Sequence, residues 1–192
     1  MSYLTEAEVK MRASLVEESS HRTARSILLE ALIVNTANFD VFLSHSPTEP
    51  DAILLGVKAM LEDEGLLVYV ENYGDPGVSP ISVTPVMANV LRNRMRQSNT
   101  LLYVHSQHST TSRWMPWELG FFDGLKGAVG IIPVTHHEEE TFKGMEYLNL
   151  YPYVDVTISG SNERQYWIRR SSSVFAPLGA WIRRVETLQD RS

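Results

Sequence analysis

The chain has 192 residues, a formal net charge of −6 and 43% hydrophobic residues, enough to bury the core of one domain and ordinary for a globular protein. A negative chain repels a phosphate backbone unless its basic residues gather on one face, and the main cluster, Arg92, Arg94 and Arg96 with Arg113, is small, so nucleic acid is not an expected partner. The absence of cysteine excludes a disulfide framework, a thiolate nucleophile and a cysteine-based zinc site.

Residues 5–34 carry Val9, Ala13, Val16, Ile27, Ala31 and Val34 at helical spacing, uninterrupted by Gly or Pro, which predicts one or two helices. They form an N-terminal helical extension, 1–36, ahead of a main domain, 37–192, and packing against that domain is their simplest role. The start of the chain lacks the basic and apolar segments of a signal peptide, and no apolar run approaches the ~20 residues needed to span a bilayer. A cytoplasmic protein without a membrane partner is expected.

The main domain opens with Phe39-Asp40-Val41-Phe42-Leu43-Ser44-His45-Ser46, an apolar run between turn formers that suits a buried parallel strand. A helix from Asp51 stops at Gly65, and Leu66-Leu67-Val68-Tyr69-Val70 is the second strand. The loop Asn72 to Pro80, with Tyr73, is long and rich in breakers, as binding loops are. Residues 86–97 read as a helix, 100–105 as a third strand ending in His105, 129–134 as a fourth and 153–158 as a fifth, with a polar connector over 136–149 and a closing helix over 173–188. Strand and helix alternate, so the expected fold is α/β, a doubly wound, flavodoxin-like sheet of five parallel strands.

Between the third and fourth strands lies Ser112-Arg113-Trp114-Met115-Pro116-Trp117-Glu118-Leu119-Gly120. A helix begins here: Pro116 suits its first turn, and Gly124 with Gly127 should end it. Trp114 and Glu118 are four apart on one face, where an indole beside a carboxylate can hold a flat cation, although such a pair is often only a core anchor and a solvated charge. Ligands of doubly wound sheets bind at the carboxyl ends of the strands. The Ser44-His45-Ser46 turn, the Tyr73 loop, His105, the loop through Ser112 and the Trp114 helix all follow such ends, which favours a functional site. A serine nucleophile at Ser44 or Ser46 lacks its Gly-x-Ser-x-Gly elbow, and His136-His137-Glu138-Glu139-Glu140 lacks metal-ligand spacing, so no metal is expected.

These segments resemble the Toll/interleukin-1 receptor (TIR) domain family. Phe39 to Ser46 is similar to its first box, Glu64 to Val70 to the segment before its BB loop, here Asn72 to about Ser82, and Trp114-x-x-x-Glu118 to the pattern of the TIR domains that cleave NAD. The likeness runs from about Phe39 to Arg184 and omits residues 1–36. Pro116 and Trp117 depart from it, and the BB loop lacks the common basic-Asp-Pro pattern. The resemblance implies that Glu118 is the catalytic residue of an NAD+ nucleosidase or cyclase and that Trp114 contacts the nicotinamide side. It also implies a likeness to the signal-producing TIR proteins of Thoeris-type antiphage defence.

On this reading NAD+ is the substrate and there is no other cofactor. Ser44, His45, Ser46, Tyr73, His105 and Ser112 line the substrate site, copies associate through TIR–TIR contacts, and a nucleotide product reaches a downstream effector. A cyclic ADP-ribose product is expected over plain hydrolysis, because aromatic density around Glu118 favours a dry site. The alternatives are a non-enzymatic TIR adaptor, an NAD-depleting hydrolase and, more remotely, a nucleoside deoxyribosyltransferase-like enzyme.

Overall fold

The computed structural model describes residues 2–31, 38–70, 84–137, 146–158 and 164–191. Along the chain these form β1 (Leu4–Thr5), α1 (Glu6–Ser20), α2 (Ala24–Ala31), β2 (Phe39–Ser44), α3 (Asp51–Asp63), β3 (Val68–Val70), α4 (Pro85–Arg96), β4 (Ser98–His105), α5 (Met115–Lys126), β5 (Val129–Thr135), β6 (Tyr153–Ile158), β7 (Arg164–Arg169), β8 (Val174–Pro177), α6 (Leu178–Ile182) and β9 (Gln189–Asp190).

One sheet runs β3-β2-β4-β5-β6-β7-β8-β9. Its first five strands are parallel and are the five expected from the sequence. Their order reverses at β2, so β2 and β4 leave in opposite directions and open a crevice at their carboxyl ends. The sheet is larger than five strands, because β7, β8 and β9 continue it antiparallel. The closing helix predicted over 173–188 is therefore corrected. Val174 and Phe175 pair with β7 and β9, and Pro177, which lacks the N–H a helix interior needs, confines helix to the five residues of α6. The 136–149 connector is described only at 136–137 and in a 3₁₀ turn, Glu146–Leu150.

Alternation along the strands divides the core. Val41, Leu43, Val68, Val70, Leu102 and Val104 face one side with α1, α2, α3 and α6. Phe42, Tyr69, Leu101 and Tyr103 face the other, under Leu91 and Met95 of α4 and Met115, Leu119 and Phe122 of α5, and Phe39, at the start of β2, packs with them.

The N-terminal segment packs against the body. A capping box between Thr5 and Glu8 starts α1, and β1 pairs with β5 at Val134 and Thr135. Ser2 exchanges two hydrogen bonds with Val156 of β6, so this short strand wedges between β5 and β6, which pair with each other only at Ile131 and Tyr153. Helix α3 lies between α1 and the sheet and is buried at every position from Ile53 to Leu61. Gly56 makes that sandwich possible, since a Cβ there would run into the Val9 carbonyl. Among the described residues no helix is long and apolar enough to cross a membrane.

Candidate active site

The site grows from the start of α5. The Ser112 hydroxyl accepts the Met115 amide at 3.3 Å, and Pro116 occupies the first turn, where no N–H is required. The helix runs through Gly124 and ends at Gly127, whose φ of 63° is the left-handed cap, so only the second of the two expected terminators acts. Glu118 is the acidic residue of that first turn, where the helix dipole favours its charge.

Its carboxylate points at the sheet and is 0% exposed. Ser44, the last residue of β2, donates a 2.6 Å hydrogen bond to Glu118 Oε2, whereas Oε1 is buried without a hydrogen-bond partner among the described residues. A buried carboxylate served by one neutral donor retains a large unmet demand for positive charge or further donors. Tyr103 lies beside Ser44 in register on β4. Burial first, then the Tyr147 phenol and the Glu118 charge, push its ionisation well above the ordinary range, so it is a neutral O–H at any working pH. The sequence marked Tyr103 only as a strand residue; its place beside the carboxylate follows from strand register.

Trp114, half-buried, immediately precedes α5 and meets Trp117 edge-on, with centroids 5.3 Å apart. Trp117 stacks on Phe121 at 5.9 Å and carries the Arg92 guanidinium 5.4 Å from its ring centroid, so Trp114 stands at the end of an aromatic row. The cluster of basic residues is partly spent in this way, with Arg96 over Phe121 and Arg94 over Phe39 and Tyr69.

The other residues singled out from the sequence are distributed around this pair. His45 is buried, its Nδ1 donating to the Ser46 carbonyl at 2.9 Å. The Ser46 hydroxyl is engaged with Thr48 at 2.9 Å. His105 is half-buried at the end of β4, 3.2 Å from the Ser109 hydroxyl, and burial, which disfavours the charged ring, lowers its pKa. Tyr73, with the whole Asn72 to Ser82 loop, lies outside the described residues. Glu118 and Ser44 are brought into contact, while His45, Ser46 and Ser112 are committed to local turns and caps. Among the described residues no group of three His, Asp or Glu side chains is arranged to hold a metal ion. Glu49, buried on the same rim and bonded to Ser106, went unmarked, as an isolated loop glutamate gives no periodic signal.

No family model matches the chain. It is 38% identical over 168 residues, 85% of its length and 86% of the relative's, to the probable 3′ cyclic ADP-D-ribose synthase ThsB′ of Bacillus cereus (strain MSX-D12). The chain belongs to the ThsB′ family of TIR-domain proteins. Among solved structures it is similar to the TIR domain of the Toll-related receptor TRR-2 from Hydra magnipapillata, at 18% identity and a TM-score of 0.44, over 60% of this chain and 82% of that one.

Proposed function

We propose that this protein cleaves the nicotinamide–ribose bond of NAD+ and closes the remainder into a cyclic ADP-ribose that serves as an antiphage signal. The observation that carries the reading is the Glu118 carboxylate, buried at the carboxyl ends of β2 and β4 with one oxygen held by Ser44 and the other unpartnered among the described residues. The relationship to a probable 3′ cyclic ADP-D-ribose synthase supports the same conclusion.

The chemistry asks little else of the protein. Nicotinamide carries the bonding pair away and leaves as a neutral molecule, so no general acid is required, unlike in a glycosidase with two carboxylates. Positive charge then develops at ribose C1 and the ring oxygen, and Glu118 supplies the fixed negative charge that stabilises it, while its open oxygen receives the ribose hydroxyls. Ser44 holds the carboxylate in one rotamer and Tyr103 adds a neutral donor nearby. Trp114 offers an aromatic face to the pyridinium, worth ~0.5–2 kcal/mol. Capture of C1 by a hydroxyl or nitrogen of the same molecule outruns water where the site is dry and that group is close, and the Trp114, Trp117, Phe121 and Phe122 side chains supply the dryness.

Substrate has to reach a carboxylate that is fully buried in this conformation, so turnover requires the site to open. Self-association through TIR–TIR contacts, or a trigger during infection, provides that step, and a cytoplasmic enzyme that consumes NAD+ needs such control.

The test is to incubate the activated protein with NAD+ and weigh the product. Free nicotinamide with a product one water lighter than ADP-ribose is expected. Linear ADP-ribose alone makes the protein an NAD-depleting hydrolase, and assembly without any nicotinamide release makes it an adaptor.

A further inference from the structure

The rim holds a second buried carboxylate that this reaction does not use. Glu49, in the turn after β2, is 5% exposed. Its Oε2 accepts a 2.6 Å hydrogen bond from the Ser106 hydroxyl just beyond β4, and Oε1 has no hydrogen-bond partner among the described residues. The Ser106 oxygen already accepts the His108 amide at 3.0 Å, so its single proton needs a buried acceptor, which Glu49 supplies from 57 residues away.

From Ser106 the bonds continue in steps of three residues. The Ser106 amide donates to Ser109 Oγ at 3.3 Å, and the Ser109 hydroxyl donates back to the Ser106 carbonyl at 2.8 Å. The Ser112 amide donates to the Ser109 carbonyl at 3.2 Å, and the Ser112 hydroxyl accepts the Met115 amide at 3.3 Å. Ser106, Ser109, Ser112 and Met115 thus form a ladder whose last rung is the first residue of α5, next to Trp114. Glu118, one turn further on, is held separately by Ser44.

We propose that Glu49 is a positioning residue: it anchors the serine ladder that seats the entry to α5, and so aims Trp114 at the substrate ring. A buried carboxylate with one oxygen unpartnered costs stability, and fixing two rim loops to each other is what that cost secures. The kinetic consequence rests on the NAD+-cleaving reading, whereas the ladder is open to a test that does not.

That test compares Glu49→Ala, Glu49→Gln and Ser106→Ala in the full chain by amide hydrogen exchange and by NAD+ kinetics. Glu49→Ala and Ser106→Ala should speed exchange over residues 109–118 about tenfold, the size of one lost buried hydrogen bond, with β4 and β5 unchanged. Glu49→Gln should restore the parent pattern, since its amide oxygen accepts the Ser106 proton. In turnover, KM for NAD+ should rise about tenfold with kcat within about twofold, because Trp114 shifts while Glu118 stays. The double variant Glu49→Ala, Ser106→Ala should be no worse than Ser106→Ala alone, in which the link to Glu49 is already broken. Unchanged exchange, acceleration spread evenly over the chain, or a fall in kcat at constant KM overturns the proposal, since the latter two mark general loss of folded protein. If Glu49→Ala fails to fold, Ser106→Ala against Glu49→Gln decides it. A parent protein that releases no nicotinamide under any condition refutes the enzyme reading, and exchange still decides the ladder.

Discussion

Asp155 on β6 and Glu118 on α5 are both buried carboxylates, 3% and 0% exposed, in regions that treat a buried charge differently. At the antiparallel side of the sheet, Arg169 Nε donates to Asp155 Oδ2 at 2.6 Å, and the guanidinium also reaches the Ser172 carbonyl and lies 4.3 Å from the centre of the Phe175 ring. That charge is neutralised where it sits, across one strand pair. At the parallel rim, Glu118 meets a serine hydroxyl and a helix N-terminus. The first arrangement gives the carboxylate a cation, although Asp155 Oδ1, like Glu118 Oε1, has no hydrogen-bond partner among the described residues; the second leaves most of the attraction for a cation unspent. On the NAD+-cleaving reading, the positive charge that develops on the substrate supplies at Glu118 what Arg169 supplies at Asp155.

The sharpest way to break the comparison is Asp155→Asn. It strands Arg169 in the core without a counter-charge and should cost about 3–5 kcal/mol, read as a lower urea midpoint, with NAD+ cleavage per folded molecule unchanged. Glu118→Gln should invert this result, cutting nicotinamide release about 10²–10³-fold, equivalent to ~2.7–4 kcal/mol at the transition state, with no loss of midpoint because Ser44 still finds an amide oxygen. Activity lost at 155 and retained at 118 would defeat the contrast between the two carboxylates.

Two smaller effects refine it. Trp114→Ala should raise KM for NAD+ by about 2- to 30-fold, the range of one cation–π contact, and unfolding without a separable kinetic change would return Trp114 to a core anchor. Glu49 tests the cost of burial without a charged neighbour in contact. Burial raises its pKa above the usual glutamate value, with the Ser106 bond and the His108 and His45 charges opposing. Between the unfolded and folded pKa values the native state keeps a proton that the unfolded chain has lost, so stability is fully present below that window and falls as pH rises through it. Thermal midpoints measured across mildly acidic pH should show that slope shrink in Glu49→Gln; an unchanged slope would assign it to other carboxyls whose pKa burial raises, such as Asp155 or Glu64.

Much of this was legible before any fold was known. The five parallel strands announce themselves as short apolar runs bounded by turn formers, and Trp114 with Glu118 as a spacing of four in a helix that Pro116 and Gly127 delimit. The antiparallel extension was hidden, since Val174 and Phe175 sit in a segment whose polar and apolar residues suit a helix as well as a strand, and only pairing with β7 and β9 decides between them. β1 has two residues, too few for any period. Gly56 gives no sign in the sequence of its role, which Val9, packed against it from α1, sets.

Sequence alone determined which residues are chemically capable here, because local preference and hydrophobic period act over a few residues at a time. It also determined that they follow strand carboxyl ends. Tertiary structure decided what they do to one another. Ser44 and Glu118 are 74 residues apart, and Glu49 and Ser106 are 57 apart; both pairs exist because β2 and β4 lie side by side in fixed register while α5 crosses one face. A single step of register would turn Ser44 to the opposite face of the sheet and leave Glu118 without its partner.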